Sequence, residues 1–320
     1  MEFLSDLFGQ AQQWLFERAV QPLVFGLGLG NRLEDAYDAT GWLLVGLLQV
    51  LVMLTLLRAL ERWRPVEPLR DRAAVRVDVI YTLIHRLGLF RLALFFAVEP
   101  TWDWLAGQAR LAGLPTFQLD ALWPGVSDLP WVSFLLYLLA FDFVNYWLHR
   151  AQHRLGWWWA LHALHHSQRQ MTLWSDNRNH LLDSLLIDLA FVALARLIGV
   201  GPGQFVALVA VSQLLESLQH ANLRLWFGPL LERVLVSPRF HRRHHSIGIG
   251  HESGGRGTLG GHNFAVLFPV WDLLFGTADF QLRFDATGIR DQLPEEGGRD
   301  YGRGFWAQQW LGLMRLLGRA

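Results

Sequence analysis

The sequence predicts an all-α fold: an integral membrane helical bundle of about four to five spans with a cytoplasmic histidine-rich helical cap. Three observations predict it. The 320 residues are 52% hydrophobic and only 18% charged, with a mean hydropathy of +0.21, more apolar than an ordinary soluble domain. Several apolar runs can cross a hydrocarbon core of roughly 30 Å at about 1.5 Å per residue. Many of the 16 tryptophans flank those runs, where indole favours the water–lipid boundary.

Residues 1–130 read as an interfacial helix followed by two spans. Phe3, Leu4, Leu7, Trp14, Leu15, Val20 and Leu23 give the first thirty residues an apolar face suited to the membrane surface, or to ordinary packing. With Glu2 and Asp6 and no basic start, this stretch does not read as a signal peptide. The first span, Trp42 to Leu57, carries no charge. The second runs from Val77 to Val98 and contains Asp78, His85, Arg86 and Arg91. Residues 131–280 begin with the third span, Trp131 to Leu148. A hairpin follows, Leu181 to Gly199 and Phe205 to Leu218, turning at Val200-Gly201-Pro202-Gly203. It either spans or re-enters. The tail, 281–320, ends in a second amphipathic stretch from Phe305 to Leu317.

Arginine placement orients the chain. Arg58, Arg62, Arg64, Arg70, Arg72 and Arg76 lie between the first two spans, and only Arg110 between the second and third. The positive-inside rule makes the first of these loops cytoplasmic. Segments 149–180 and 219–320 then share the cytoplasmic side. The all-arginine, cysteine-free composition suggests a GC-rich bacterial source, hence an inner membrane.

Composition excludes several classes of function. Net charge is zero, so nucleic acid is not an expected partner. There is no cysteine, which removes disulfides, iron–sulfur clusters, thiolate zinc sites and cysteine nucleophiles. There is no lysine, which removes Schiff-base chemistry.

The 13 histidines are clustered instead. His149-Arg-Ala-Gln-His153 is followed by His162-Ala-Leu-His165-His166, by a single His220, and by His241-Arg-Arg-His244-His245. Residues three and four apart share a helix face, and neutral imidazole is the commonest side-chain metal ligand. Nine clustered imidazoles exceed the four ligands of a closed zinc site. They suit two metals, each with open positions for chemistry.

These pieces resemble the fatty acid hydroxylase superfamily of membrane di-iron oxygenases, which includes the sterol desaturases. The resemblance covers about residues 131–280 and includes the four histidine groups, Gln219-His220-Ala-Asn222, Ser237-Pro238-Arg239-Phe240, Asn263-Phe264 and Trp271-Asp272-Leu-Leu-Phe275-Gly276-Thr277. It implies that the boxes ligate two irons, with zinc a possible substituted metal. It also implies that the irons activate O2 for attack on a lipid C–H bond. His180, Glu216 and His262 stand where the family pattern changes, and are candidates for metal or substrate-side roles. Asp142, Asn145, Asn222 and Asn263 are candidates for hydrogen bonds behind the ligands, Asp142 toward His149 or toward Arg86 or Arg91. His85 and His251 have no assigned role.

No haem or flavin motif is present, so electrons are expected from a ferredoxin, cytochrome or reductase. Arg150, Arg154, Arg242 and Arg243 suit either that partner or lipid phosphates. Two other classes stay open on the residues alone: a zinc-dependent membrane hydrolase and a non-enzymatic metal-binding membrane protein.

Overall fold

The computed structural model describes residues 2–113, 117–247 and 261–320. Among them the chain is helical, and the only β pairing is an isolated bridge between Ser246 and Thr287. In order, the α-helices are α1 (Glu2–Leu15), α2 (Gln21–Gly26), α3 (Leu33–Val52), α4 (Arg58–Trp63), α5 (Arg72–Arg86), α6 (Leu89–Leu111) and α7 (Pro130–Arg154). They continue with α8 (Gly156–His166), α9 (Leu181–Ile198), α10 (Pro202–His220), α11 (Gly228–Leu231), α12 (Pro238–His244), α13 (Val270–Leu274) and α14 (Phe305–Leu316).

Among the described residues, two helical stretches are long and apolar enough to cross a membrane: Gly30–Trp63, which joins α3 to α4 through a π-turn at Met53–Leu57, and α7. The expected second span is two helices. α5 stops at Arg86, Gly88 takes the left-handed conformation at φ 76°, and α6 starts at Leu89. The hairpin arms appear as α9 and α10, with Gly199 in the left-handed conformation (φ 76°) ending α9.

The chain divides into two units. The first is 1–52 with 83–107. In it α1 lies on α3, where Gln12 donates to the Tyr37 carbonyl (2.9 Å) and Phe16 meets the Tyr37 ring edge-to-face. Gly46 is in contact with the Arg86 carbonyl, so closely that a Cβ would overlap it.

The second unit, 53–82 with 108–320, holds the histidines. Its main apolar core joins Tyr137, Leu138 and Phe141 of α7, Leu208 of α10, and Val266 and Leu267. On the outer side of α7, Trp131, Leu135, Leu139, Phe143 and Trp147 recur every four residues and all are exposed. That spacing makes one apolar stripe along the helix. In water such a stripe is costly, while in a bilayer it faces chemically matched surroundings.

Candidate metal centre

Each histidine box sits at the end of a helix in the second unit. His149 and His153 close α7, one turn apart on its inner face. Leu155 breaks the helix, and α8 then carries His162, His165 and His166. His220 is the last residue of α10. The seven-residue α12 carries His241 and His244, with His245 as its C-cap. So short a helix needs outside support. Ser237 caps its N-terminus, accepting from the Phe240 amide, and Pro238 takes the first helical position. Arg239, fully buried, pairs with Glu232.

These ends converge. His149, His153, His162 and His166 place one ligand atom each within 4.8 Å of one another. His165, His220, His241 and His245 form a second such group, and His166, His244 and His245 a third that joins them. All nine rings are buried. In the second group, His220 Nε2 lies 3.2 Å from His165 Nε2 and 3.0 Å from His241 Nε2, which lies 3.1 Å from His245 Nε2. Metal–nitrogen bonds of about 2.1 Å put neighbouring donor atoms roughly 3.0–3.4 Å apart.

The outer nitrogens fix which atom faces inward. A carbonyl only accepts, so the ring nitrogen bonded to it carries the proton. His149 Nδ1 donates to the Phe264 carbonyl (2.8 Å), His220 Nδ1 to that of Glu216 (2.8 Å) and His244 Nδ1 to that of His262 (2.7 Å). His162 Nδ1 donates to the Asp183 carboxylate at 3.0 Å. In each of these four rings Nε2 therefore bears the lone pair. Burial first, and then the neighbouring imidazoles, push His165, His241, His244 and His245 well below the ordinary histidine range. Neutral rings with inward lone pairs are what a cation requires. His162 Nε2 is buried with no hydrogen-bond partner, a cost that ligation removes. The residues fit a metal.

Other candidates take different places. Asp142 accepts from the Leu267 and Phe268 amides (2.8 and 3.0 Å) and from Trp271 Nε1 (2.9 Å), so it holds the 267–271 chain rather than His149 or an arginine. Its carboxylate finds three donors there, while His149 finds a carbonyl. His180 uses both nitrogens on main chain: Nε2 donates to the Gln309 carbonyl and Nδ1 accepts from the Leu182 amide. No lone pair is left for a metal. Glu216 and His262 accept from His220 and His244 through their carbonyls, and neither side chain belongs to the histidine groups. Asn222 ties down the main chain at Val66 and Glu67. Asn145 makes no hydrogen bond among the described residues. Asn263 stands between His262 and Phe264, whose carbonyls accept from His244 and His149. His85 packs near Phe90, and His251 lies outside the described residues. Arg242 pairs with Glu67, and Arg243 with Asp279 and Asp285, so both are neutralised internally.

Asp183 is the residue whose role the sequence did not announce. Its carboxylate accepts from His162, from Gln152 Nε2 (2.7 Å) and from Trp158 Nε1 (2.7 Å). The available signal was the one acid in the first turn of a mostly apolar helix that also carries Asp188 and Arg196.

Comparison with known proteins agrees with the geometry. The fatty acid hydroxylase family model matches residues 134–277, a window holding every histidine of the three groups. The chain is 27% identical to an ornithine lipid hydroxylase of Rhizobium tropici, over 78% of this chain and 70% of that protein. It is 32% identical to an alkylglycerol monooxygenase of Danio rerio, over 47% of this chain and 32% of that protein. A very-long-chain aldehyde decarbonylase of Oryza sativa subsp. indica is 26% identical over 57% of this chain and 29% of its own length. The chain thus spans under a third of these last two relatives. No solved structure matches it. Residues 134–277 thus carry the match to the fatty acid hydroxylase family, and the ornithine lipid hydroxylase and alkylglycerol monooxygenase among the similar proteins support reading the chain as an oxidoreductase.

Proposed function

We propose that the protein is a membrane-bound di-iron oxygenase that hydroxylates or desaturates a lipid, using O2 and electrons from an external donor. The observation that carries this reading is the pair of buried four-histidine groups joined through His166, His244 and His245. One group would hold a metal through His149, His153, His162 and His166, the other through His165, His220, His241 and His245, with His244 between them. Imidazole suits iron, copper and zinc alike, and the family resemblance favours iron. Two irons there would supply the reductive activation of O2 that attack on an unactivated C–H bond requires.

The chain's own residues do the rest. Asp183 and three main-chain carbonyls hold the Nδ1 protons of four rings, which keeps each Nε2 aimed inward. Burial of all nine rings keeps bulk water from the site. The exposed stripe of α7, on the helix that bears His149 and His153, suits approach from lipid rather than from water. Hydroxylation balances as one lipid C–H, one O2, two electrons and two protons giving an alcohol and one water. The chain has no cysteine for an iron–sulfur cluster, which supports a separate electron donor. The names of the Rhizobium tropici and Danio rerio relatives support oxygen insertion into a lipid. A bacterial inner membrane with the boxes on the cytoplasmic side accords with the arginine distribution.

Metal analysis joined to lipid analysis tests this reading. Purified protein should carry iron near two per chain. Cells expressing it should gain a lipid heavier by one oxygen, or lighter by two hydrogens, only in air. Stoichiometric zinc with O2-independent turnover would overturn the oxygenase in favour of a hydrolase. Metal bound with no lipid change would favour a carrier. Orientation is readable because the chain has no native cysteine: Arg72→Cys should label only from the cytoplasmic face.

A further inference from the structure

One side chain makes the turn at Asn263. Its Nδ2 donates to the main-chain carbonyls of Phe240 and Asp279, both at 3.0 Å, and its Oδ1 accepts from the Asp279 amide at 2.6 Å. Its own amide donates to the Thr277 carbonyl. Asn263 has φ 57°, the one non-glycine residue in the left-handed region among the described residues. Asparagine tolerates that region better than other side chains, and such residues persist only where the surroundings over-determine them.

The consequence lies on either side of the turn. The carbonyl before it, of His262, accepts from His244 Nδ1, and the carbonyl after it, of Phe264, accepts from His149 Nδ1. The two rings come from different helices, α12 and α7, and lie 4.5 Å apart. They also belong to different ligand groups. Asp272 pins the far side, accepting from the Phe264 and Ala265 amides at 2.8 Å each. A peptide held this way has little freedom to rotate its carbonyls.

We propose that Asn263 is a positioning residue of the metal centre. Its left-handed turn sets the tautomer and the aim of His149 and His244 together, coupling the first four-histidine group to the His166–His244–His245 group that joins the two, through one short segment of main chain. This rests on the metal-centre reading above. It gives a physical reason for asparagine here: glycine would accept the backbone angle but make none of the three side-chain bonds, and alanine would do neither.

The test uses the full chain in detergent, with cobalt(II) as the probe, because its visible spectrum reports ligand geometry. Asn263→Gly and Asn263→Ala should each weaken cobalt binding about 10–100-fold, the usual effect of losing a group that orients a ligand, and should shift the visible band. Tyr137→Phe is the control: it removes buried bonds to Asp120 and the 198–199 carbonyls far along the chain from the turn. It should lower the melting temperature and leave the cobalt spectrum alone. Wild-type affinity and spectrum in Asn263→Gly overturn the proposal, whatever its melting temperature; if Asn263→Ala fails to fold, the glycine variant decides. Wild-type protein that takes up no cobalt or iron overturns the metal-centre reading itself, an outcome distinct from failure of the turn alone.

Discussion

Asp183 concentrates three donors on one buried carboxylate: His162, Gln152 and Trp158. A carboxylate behind a ligating imidazole fixes its tautomer and raises its basicity, and losing it costs about 10–100-fold in metal affinity. Asp183→Asn should do so at the group that contains His162 and leave the other group's affinity near normal, which metal titration with two resolvable steps would check. Equal loss at both steps would mean that Asp183 acts on the fold rather than on His162. The histidine clusters themselves were legible because the i,i+3 and i,i+4 rule is local. The residues behind them were not, because His162 and Asp183 are 21 apart and meet only through the packing of α8 on α9. Asp142 misled for the same reason. Helical spacing put it on the face of His149, but spacing says nothing of the 267–271 chain that arrives to satisfy it.

Helix α14 shows how far an element's pattern carries. Its amphipathic character was visible, yet its polar side faces inward. Gln308, Gln309, Gly312 and Arg315 are buried, while Trp306 and Trp310 are 77% and 62% exposed. The buried side is satisfied by polar partners: Gln309 reaches the Tyr81 hydroxyl and the Leu181 amide, and Arg315 reaches the Ala160 carbonyl. The spacing of apolar residues tells which side of a helix is apolar, not which solvent that side meets. Gly312 lets the helix close on the ring of His180, where a Cβ would overlap. Gly312→Ala should therefore destabilise the protein by about 1–3 kcal/mol, as overpacking does, read as a lowered thermal midpoint. An unchanged midpoint would mean that α14 is free to shift. The broken second span was partly legible, since Gly88 stands between two apolar runs. Length and hydropathy alone merged them.

The histidine centre also makes the stability of the whole metal-free protein depend on pH. His165, His241, His244 and His245 are held well below the ordinary histidine value by burial and by one another, whereas the unfolded chain returns them to about 6.5. Above that value both states are neutral and these rings contribute no pH dependence. Below it the unfolded state takes up protons that the folded state refuses, so stability falls as pH falls, by up to about 1.4 kcal/mol per pH unit for each ring. Asp272 works the other way. Burial raises its carboxyl to about 6, against the bonds from Thr277, Ala265 and Phe264 that lower it, so the folded state gains one proton there. One proton bound on folding does not offset four refused. The denaturation midpoint of metal-free protein should therefore be flat in this respect above about pH 7.5 and drop steeply from about 6.5 toward 5.5. Bound metal occupies the inward lone pairs only in the folded state, so it should raise the midpoint throughout and be released as the drop begins. A metal-free midpoint that is level across that window would show that the nine rings are not buried together as neutral imidazoles, and the ligand assignment would fall with it.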